Sequence, residues 1–182
     1  MNLNKLKEQV YKNALAHGWH DEKHSDAHWL CLVIAELMEA VEADRMGKRA
    51  DRHQFENYMS LRERSDDEFI YAFKHGIKDT VEDELADACI RLLDFAGTKS
   101  MNIDYMNAGA IITEDYSDRT FTESIFRIVK KVTAFNCNGA LLSILAEIFA
   151  LCHTCNIDIE WHIRQKMRYN RHRPYRHGNK KY

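Results

Sequence analysis

Between residues 81 and 96 the chain reads VEDELADACIRLLDFA, with Val81, Leu85, Ala88, Leu92 and Phe95 recurring at helical intervals. That spacing selects an amphipathic α-helix and excludes a strand, whose faces alternate every second residue. Glu84 and Asp87 lie on the border of the apolar stripe rather than opposite it. A helix that carries two carboxylates towards its own core limits what can pack there, because each charge needs a partner.

A second helix poses the same problem. In HWLCLVIAELMEAVEADR (28–45), Glu36 falls between Trp29, Val33, Ala40 and Ala43, and Glu39 lies one position round, beside Leu32. The segment is apolar over most of its circumference, as a central helix should be, so Glu36 is expected to be buried and Glu39 partly so. An ionised carboxylate taken out of water costs several kcal/mol even after relaxation. It must be protonated, paired with a base or bound to a metal. If the two helices pack antiparallel, Glu36, Glu39, Glu84 and Asp87 converge, and an all-oxygen cluster suits a hard divalent cation, Mg²⁺ or Mn²⁺. The bland alternative is a pair of solvated faces, with Arg91 neutralising Asp87 across one helical turn. A di-iron bundle would place His three residues after an acid on two helices, and neither pair here does so.

The rest of the chain reads as helix too. One Pro and seven Gly in 182 residues leave few breakers, and no segment alternates with period two. Helices are expected over 3–17, ended by Gly18, and 27–46, ended by Gly47. Residues 48–78 form a charged insertion with one or two short helices. Asp79 with Glu82 resembles a capping box opening the acid-bearing helix, which ends near Gly97. Residues 98–118 read as loop. Thr120 with Glu123 opens another helix, and two more follow at 139–154 and 157–172, the last ended by Pro174. The expectation is a single all-α domain over 1–182, with a helical core at about 20–100 and a helical extension at about 119–182.

The acid spacing resembles a known superfamily, the MazG-like all-α nucleoside triphosphate pyrophosphohydrolases, whose signature is E-x-x-E followed by E-x-x-D on two packed helices. IAELMEAVEADR and VEDELADACIRLL match it at Glu36, Glu39, Glu84 and Asp87. Lys166, Asn170 and Arg173 are similar to the K-x-x-x-N-x-x-R pattern that this superfamily and the related dimeric dUTPases turn towards substrate phosphates. The resemblance implies a four-helix-bundle core holding Mg²⁺ on the four acids. It implies hydrolysis of a nucleoside triphosphate to the monophosphate and pyrophosphate, with Glu36 or Glu39 as general base, in nucleotide-pool house-cleaning. It also implies a homodimer or homotetramer in which the basic tail completes a neighbour's site. The insertion at 48–78 would be a lid. The rival reading is a non-catalytic nucleotide-sensing or protein-interaction module.

Other features weigh less. Net charge is −2, which argues against a nucleic-acid binder despite the basic tail. Five scattered Cys and the absence of a leader or an apolar run of membrane length lead to the expectation of a cytoplasmic protein with reduced thiols. Cys152-His-Thr-Cys155 with His162 hints at zinc but reads better as buried thiols. Trp19 is the candidate for stacking on a base, whereas Trp29 reads as core, and His24 with His28 reads as a surface pair.

Overall fold

A computed structural model describes residues 2–103, 115–136 and 138–181, without the side chains of residues 138, 139 and 179. Among these residues it is helical, with no strand. The helices are α1 (Leu3–Ala16), α2 (Asp26–Arg45), α3 (Arg52–Ser60), α4 (Asp66–Gly76), α5 (Val81–Thr98), α6 (Phe121–Thr133), α7 (Asn138–Thr154), α8 (Ile159–Arg171) and a final turn, α9 (Arg176–Asn179). The loop expected at 98–118 lies partly outside the described residues, as does Cys137.

Helix α5 is the axis of the molecule. Val81, Leu85, Ala88, Cys89, Leu92 and Phe95 are fully buried, and α1, α2, α7 and α8 all pack on it. Burying side chains such as Leu92 is worth about 1.5–3 kcal/mol each, so this contiguous stripe fixes which way α5 faces. Helix α2 runs antiparallel to it. Asp26, at the start of α2, pairs with Lys99 beyond the end of α5 at 2.5 Å. Glu36 meets Arg91 midway, and the carbonyl of Lys48 accepts from the N–H of Val81. The antiparallel register puts the two acid pairs side by side.

Caps explain most of the boundaries. Ser25, Ser65 and Thr120 sit in extended N-cap conformations and accept backbone N–H groups, and Ser65 and Thr120 form reciprocal capping boxes with Glu68 and Glu123. The cap of α5 differs from the expectation. Its N-cap is Thr80, whose hydroxyl accepts from the N–H of Asp83. Asp79 has φ 61°, a left-handed conformation that turns the chain before the helix, whereas an N-cap needs extended backbone. Glu82 is drawn away from the cap and accepts from the N–H of Ala50 at 2.9 Å.

The insertion folds as the α3–α4 hairpin around an aromatic cluster of its own. Phe55, Phe69 and Phe73 pack with Tyr169 from α8, whose ring stacks on Phe73 at 4.6 Å. Helices α6 and α7 form another antiparallel pair, joined through Glu147. No single helix among the described residues is long and apolar enough to cross a membrane.

Candidate functional site

A cleft of about 280 Å³ opens where α2, α5 and α8 meet the turn after α1, and Glu36, Glu39, Glu84 and Asp87 all line it. Glu36 and Glu84 are 8% and 5% exposed, while Glu39 stands exposed at the rim. Carboxylate oxygens of Glu36, Glu39 and Glu84 approach within 4.8 Å of one another, close enough to share one metal ion. Asp87 stands outside that triplet because its carboxylate is taken by Lys166 at 2.8 Å.

The electrostatics follow from burial and crowding. The carboxyl of Glu84 is pushed up to about 8, first by burial and then by the charge of Asp87. Burial and Asp87 also raise Glu36 to about 7, against the opposing pull of Arg91. Arg91 does not pair with Asp87 across one helical turn. Its Nε donates to Glu36 Oε1 at 3.0 Å, since the helix packing places Glu36 opposite it and Lys166 already occupies Asp87.

Two residues that carried no weight in the sequence analysis hold the floor of the site. Asp83 is 1% exposed and accepts from Lys166 Nζ at 2.6 Å and from the N–H of Asp79 at 3.1 Å. Burial raises its carboxyl to about 6, with the charge of Lys166 pulling the other way. Asp94, on the next turns of α5, is held by His20 Nε2 at 2.8 Å. The signal for Asp83 was present, since it falls between Glu82 and Glu84. In the first turn of a helix an acid at that position is ordinarily solvated, and only the packing of α8 on α5 buries it.

Lys166, Asn170 and Arg173 line the cleft of their own chain. Lys166, 4% exposed, sits between Asp83 and Asp87. Burial works to discharge its ammonium, but those two carboxylates outweigh it and raise its pKa. Its charge is therefore committed to the floor. Asn170 Oδ1 is buried without a hydrogen-bond partner among the described residues. Arg173, together with Lys78 and Lys180, contributes positive charge elsewhere around the opening. Trp19 is half-buried on the cleft wall, 6.0 Å from the Arg91 guanidinium, while Trp29 is in the core.

A second acidic triplet, Asp79, Asp83 and Glu84, is also within metal-sharing distance. It already contains two cations, because Lys78 bonds Asp79 and Lys166 bonds Asp83. Among the described residues the Glu36–Glu39–Glu84 triplet has one direct ion pair, Glu36 with Arg91, and Lys166 acts on Glu84 only from a distance. The shortage of positive charge lies there, and three carboxylate donors, with Glu36 and Glu84 raised in pKa, fit a hard divalent cation.

The remaining candidates fall elsewhere. Of the insertion at 48–78 that was expected to be a lid, Lys78 alone lines the cleft among the described residues. Phe55, Phe69 and Phe73 of the insertion pack against α8. Cys152 is fully buried and Cys155 partly so, burial raises both thiols, and neither joins a metal-sharing group with His162. His24 and His28 stack at 4.0 Å and are half-buried.

No family model, curated protein or solved structure matches the chain. Fold and site define its class by themselves: an all-helical protein with a carboxylate-lined cleft whose charge is incompletely balanced.

Proposed function

We propose that this protein is a divalent-metal-dependent nucleoside triphosphate pyrophosphohydrolase, converting a nucleoside triphosphate to the monophosphate and pyrophosphate. The observation that carries this reading is the convergence of Glu36, Glu39 and Glu84 within 4.8 Å beside a single arginine. A purely structural buried acid such as Glu147 is fully bonded, whereas of these three only Glu36 has an ion-pair partner among the described residues. The resemblance of both acid pairs and of Lys166, Asn170 and Arg173 to the MazG-like signature gives the substrate class.

Glu36, Glu39 and Glu84 would hold Mg²⁺ or Mn²⁺, which when bound would supply Lewis-acid polarisation of phosphate oxygens and activation of the attacking water. The chain's own groups divide the remaining work. Glu36 is tied to Arg91, whereas Glu39 takes part in no side-chain hydrogen bond or ion pair among the described residues. Glu39 is therefore the acid free to accept the proton of water as it attacks the α-phosphorus. Lys166 holds the carboxylates of Asp83 and Asp87 in place. Arg173 and Lys180 offset the charge of the departing pyrophosphate, with the fork of Arg173 suited to two phosphate oxygens. A homodimer or homotetramer follows from the same resemblance, although each chain supplies the Lys-Asn-Arg set to its own cleft.

The test is pyrophosphate release from a panel of ribo- and deoxynucleoside triphosphates with Mg²⁺, comparing the wild type with Glu39→Gln. Metal-dependent release that Glu39→Gln abolishes supports the reading. A folded wild type that releases no pyrophosphate from any of them overturns it.

A further inference from the structure

Beyond Arg171 the chain does not trail into solvent but folds back over the cleft as a strap. His17 anchors its start, with Nε2 3.1 Å from the carbonyl oxygen of Arg173 and Nδ1 2.7 Å from that of Asn13. The N–H of Arg176 donates to the carbonyl of His17 at 3.0 Å, its Nε donates to that of Gly18 at 3.2 Å, and its guanidinium reaches Glu22 at 3.3 Å. The Tyr175 hydroxyl donates to Asp21. The Tyr175 ring occupies the space that a Cβ on Gly18 would need, and Gly18 has φ +76°. Glycine is required there twice over, for its backbone and for the ring seated on it.

This latch holds an unusual piece of backbone. Arg176, His177 and Gly178 have φ 43°, 49° and 95° in succession, a left-handed path that L-residues rarely take and that persists only where surrounding contacts over-determine it. Its consequence is the placement of His177. The ring meets Trp19 edge-on at 5.0 Å and His17 at 5.8 Å, and it lines the cleft together with Lys180. Burial, and then the charge of Arg173, lowers the pKa of this imidazole to about 3, so the wall it forms is uncharged at neutral pH.

The cleft thus has two unlike ends. Glu84 and Asp87 lie at the acidic end, and Trp19 and His177 lie beside Arg91, seven residues further along α5 from Glu84. The helix rise sets those two backbone positions about 10 Å apart, and the Arg91 side chain reaches back to Glu36 so that the aromatic wall adjoins the carboxylate triplet. We propose that His177, presented by the latched strap, is a specificity-determining residue: with Trp19 it bounds the end of the cleft that receives the nucleobase. It selects among bases by the fit of a flat ring against the wall that these two touching rings form. The inference deepens the pyrophosphohydrolase reading and rests on it.

The experiment measures Mg²⁺-dependent binding and pyrophosphate release for four ribo- and four deoxynucleoside triphosphates, with inorganic tripolyphosphate as the base-free probe. It compares wild type, His177→Ala and Tyr175→Ala, each checked for helix content and for tryptic cleavage after Arg176. The expected result is that both variants change the ratio between the best and worst bases by about tenfold and leave tripolyphosphate affinity within about twofold. Tyr175→Ala should also speed cleavage of the tail. An unchanged base ratio in a folded His177→Ala protein overturns the inference, as does an equal loss for nucleotides and tripolyphosphate. Wild type that binds tripolyphosphate but shows no preference among nucleotides overturns the inference and leaves the phosphate site standing. Wild type that binds neither overturns the functional reading together with it.

Discussion

Two regions of this molecule bury glutamates, and they treat them in opposite ways. On the α6–α7 pair, Glu147 is 2% exposed and accepts from Arg127 at 3.1 Å, from Lys131 and from the Tyr116 hydroxyl. Burial alone would raise its carboxyl, but those bonds outweigh it and hold the pKa below the ordinary glutamate value. In the cleft, Glu36 and Glu84 are buried almost as deeply, yet the balance runs the other way and both pKa values rise. A buried acid is no sign of a site by itself. The difference lies in whether the fold supplies enough donors, and only the cleft leaves a shortage of cations.

The comparison can be broken most severely on the activity side. Glu84→Gln removes one donor of the triplet without changing shape, and loss of a metal ligand should lower pyrophosphate release at least about 100-fold. Glu147→Gln should leave release within about twofold. Equal losses from the two substitutions would erase the distinction between the regions.

The floor of the cleft gives the largest expected change in stability. Lys166→Met leaves Asp83 buried beside Asp87 without its cation, and stranding a buried charge costs roughly 3–5 kcal/mol. For a chain of this size that lowers the melting temperature by about 10 °C. Restoring most of the loss with Asp83→Asn in the same background would show that the penalty is electrostatic rather than one of packing.

The pH dependence of the metal-free protein is a smaller effect with a definite sign. Glu36 and Glu84 ionise near 4.5 in the unfolded chain and near 7 and 8 when folded. Between those values the folded state binds more protons, so stability falls as pH rises, by about 1.4 kcal/mol per pH unit for each group titrating. Thermal melting in a chelator should therefore decline from pH 5 to pH 8. Mg²⁺ should raise the melting temperature more at pH 8 than at pH 5, and Glu84→Gln should flatten the chelator profile. A flat wild-type profile would mean that these carboxyls are compensated after all.

The smallest effect belongs to the other region. The pKa of Glu147 is lowered on folding, so its contribution is present above about 4.5 and lost as pH falls through the folded value. Glu147→Gln should cost about 1–2 kcal/mol at pH 7, because Arg127 and Lys131 are each about a third exposed and can turn to water. That cost should shrink at pH 3, and the response to Mg²⁺ should not change.

Much of this arrangement is local and therefore legible in the chain itself. Apolar spacing defines α2 and α5, glycines and Pro174 end helices where the backbone or the missing N–H demands it, and Ser65–Glu68 and Thr120–Glu123 are reciprocal caps within three residues of each other. The place of Glu36 among Trp29, Val33, Ala40 and Ala43 implies its burial, and the border position of Glu84 turns it towards the core, since helical geometry converts spacing directly into facing. The cap of α5 was misread at Asp79 because the choice between adjacent capping residues turns on a φ angle that no local pattern reports.

Pairing was decided by the tertiary structure. Whether Arg91 neutralises Asp87 on its own helix or Glu36 on another depends on the register of α2 against α5. Whether Lys166 faces ligand or floor depends on how α8 lies along α5. The strap depends on Gly18 and Tyr175, more than 150 residues apart, meeting at one point. One-dimensional spacing determines which face of a helix is apolar. Which charges share a buried space is set only when helices distant in sequence pack, because the energy of a buried ion depends on every neighbour within a few ångströms, whatever its place in the chain.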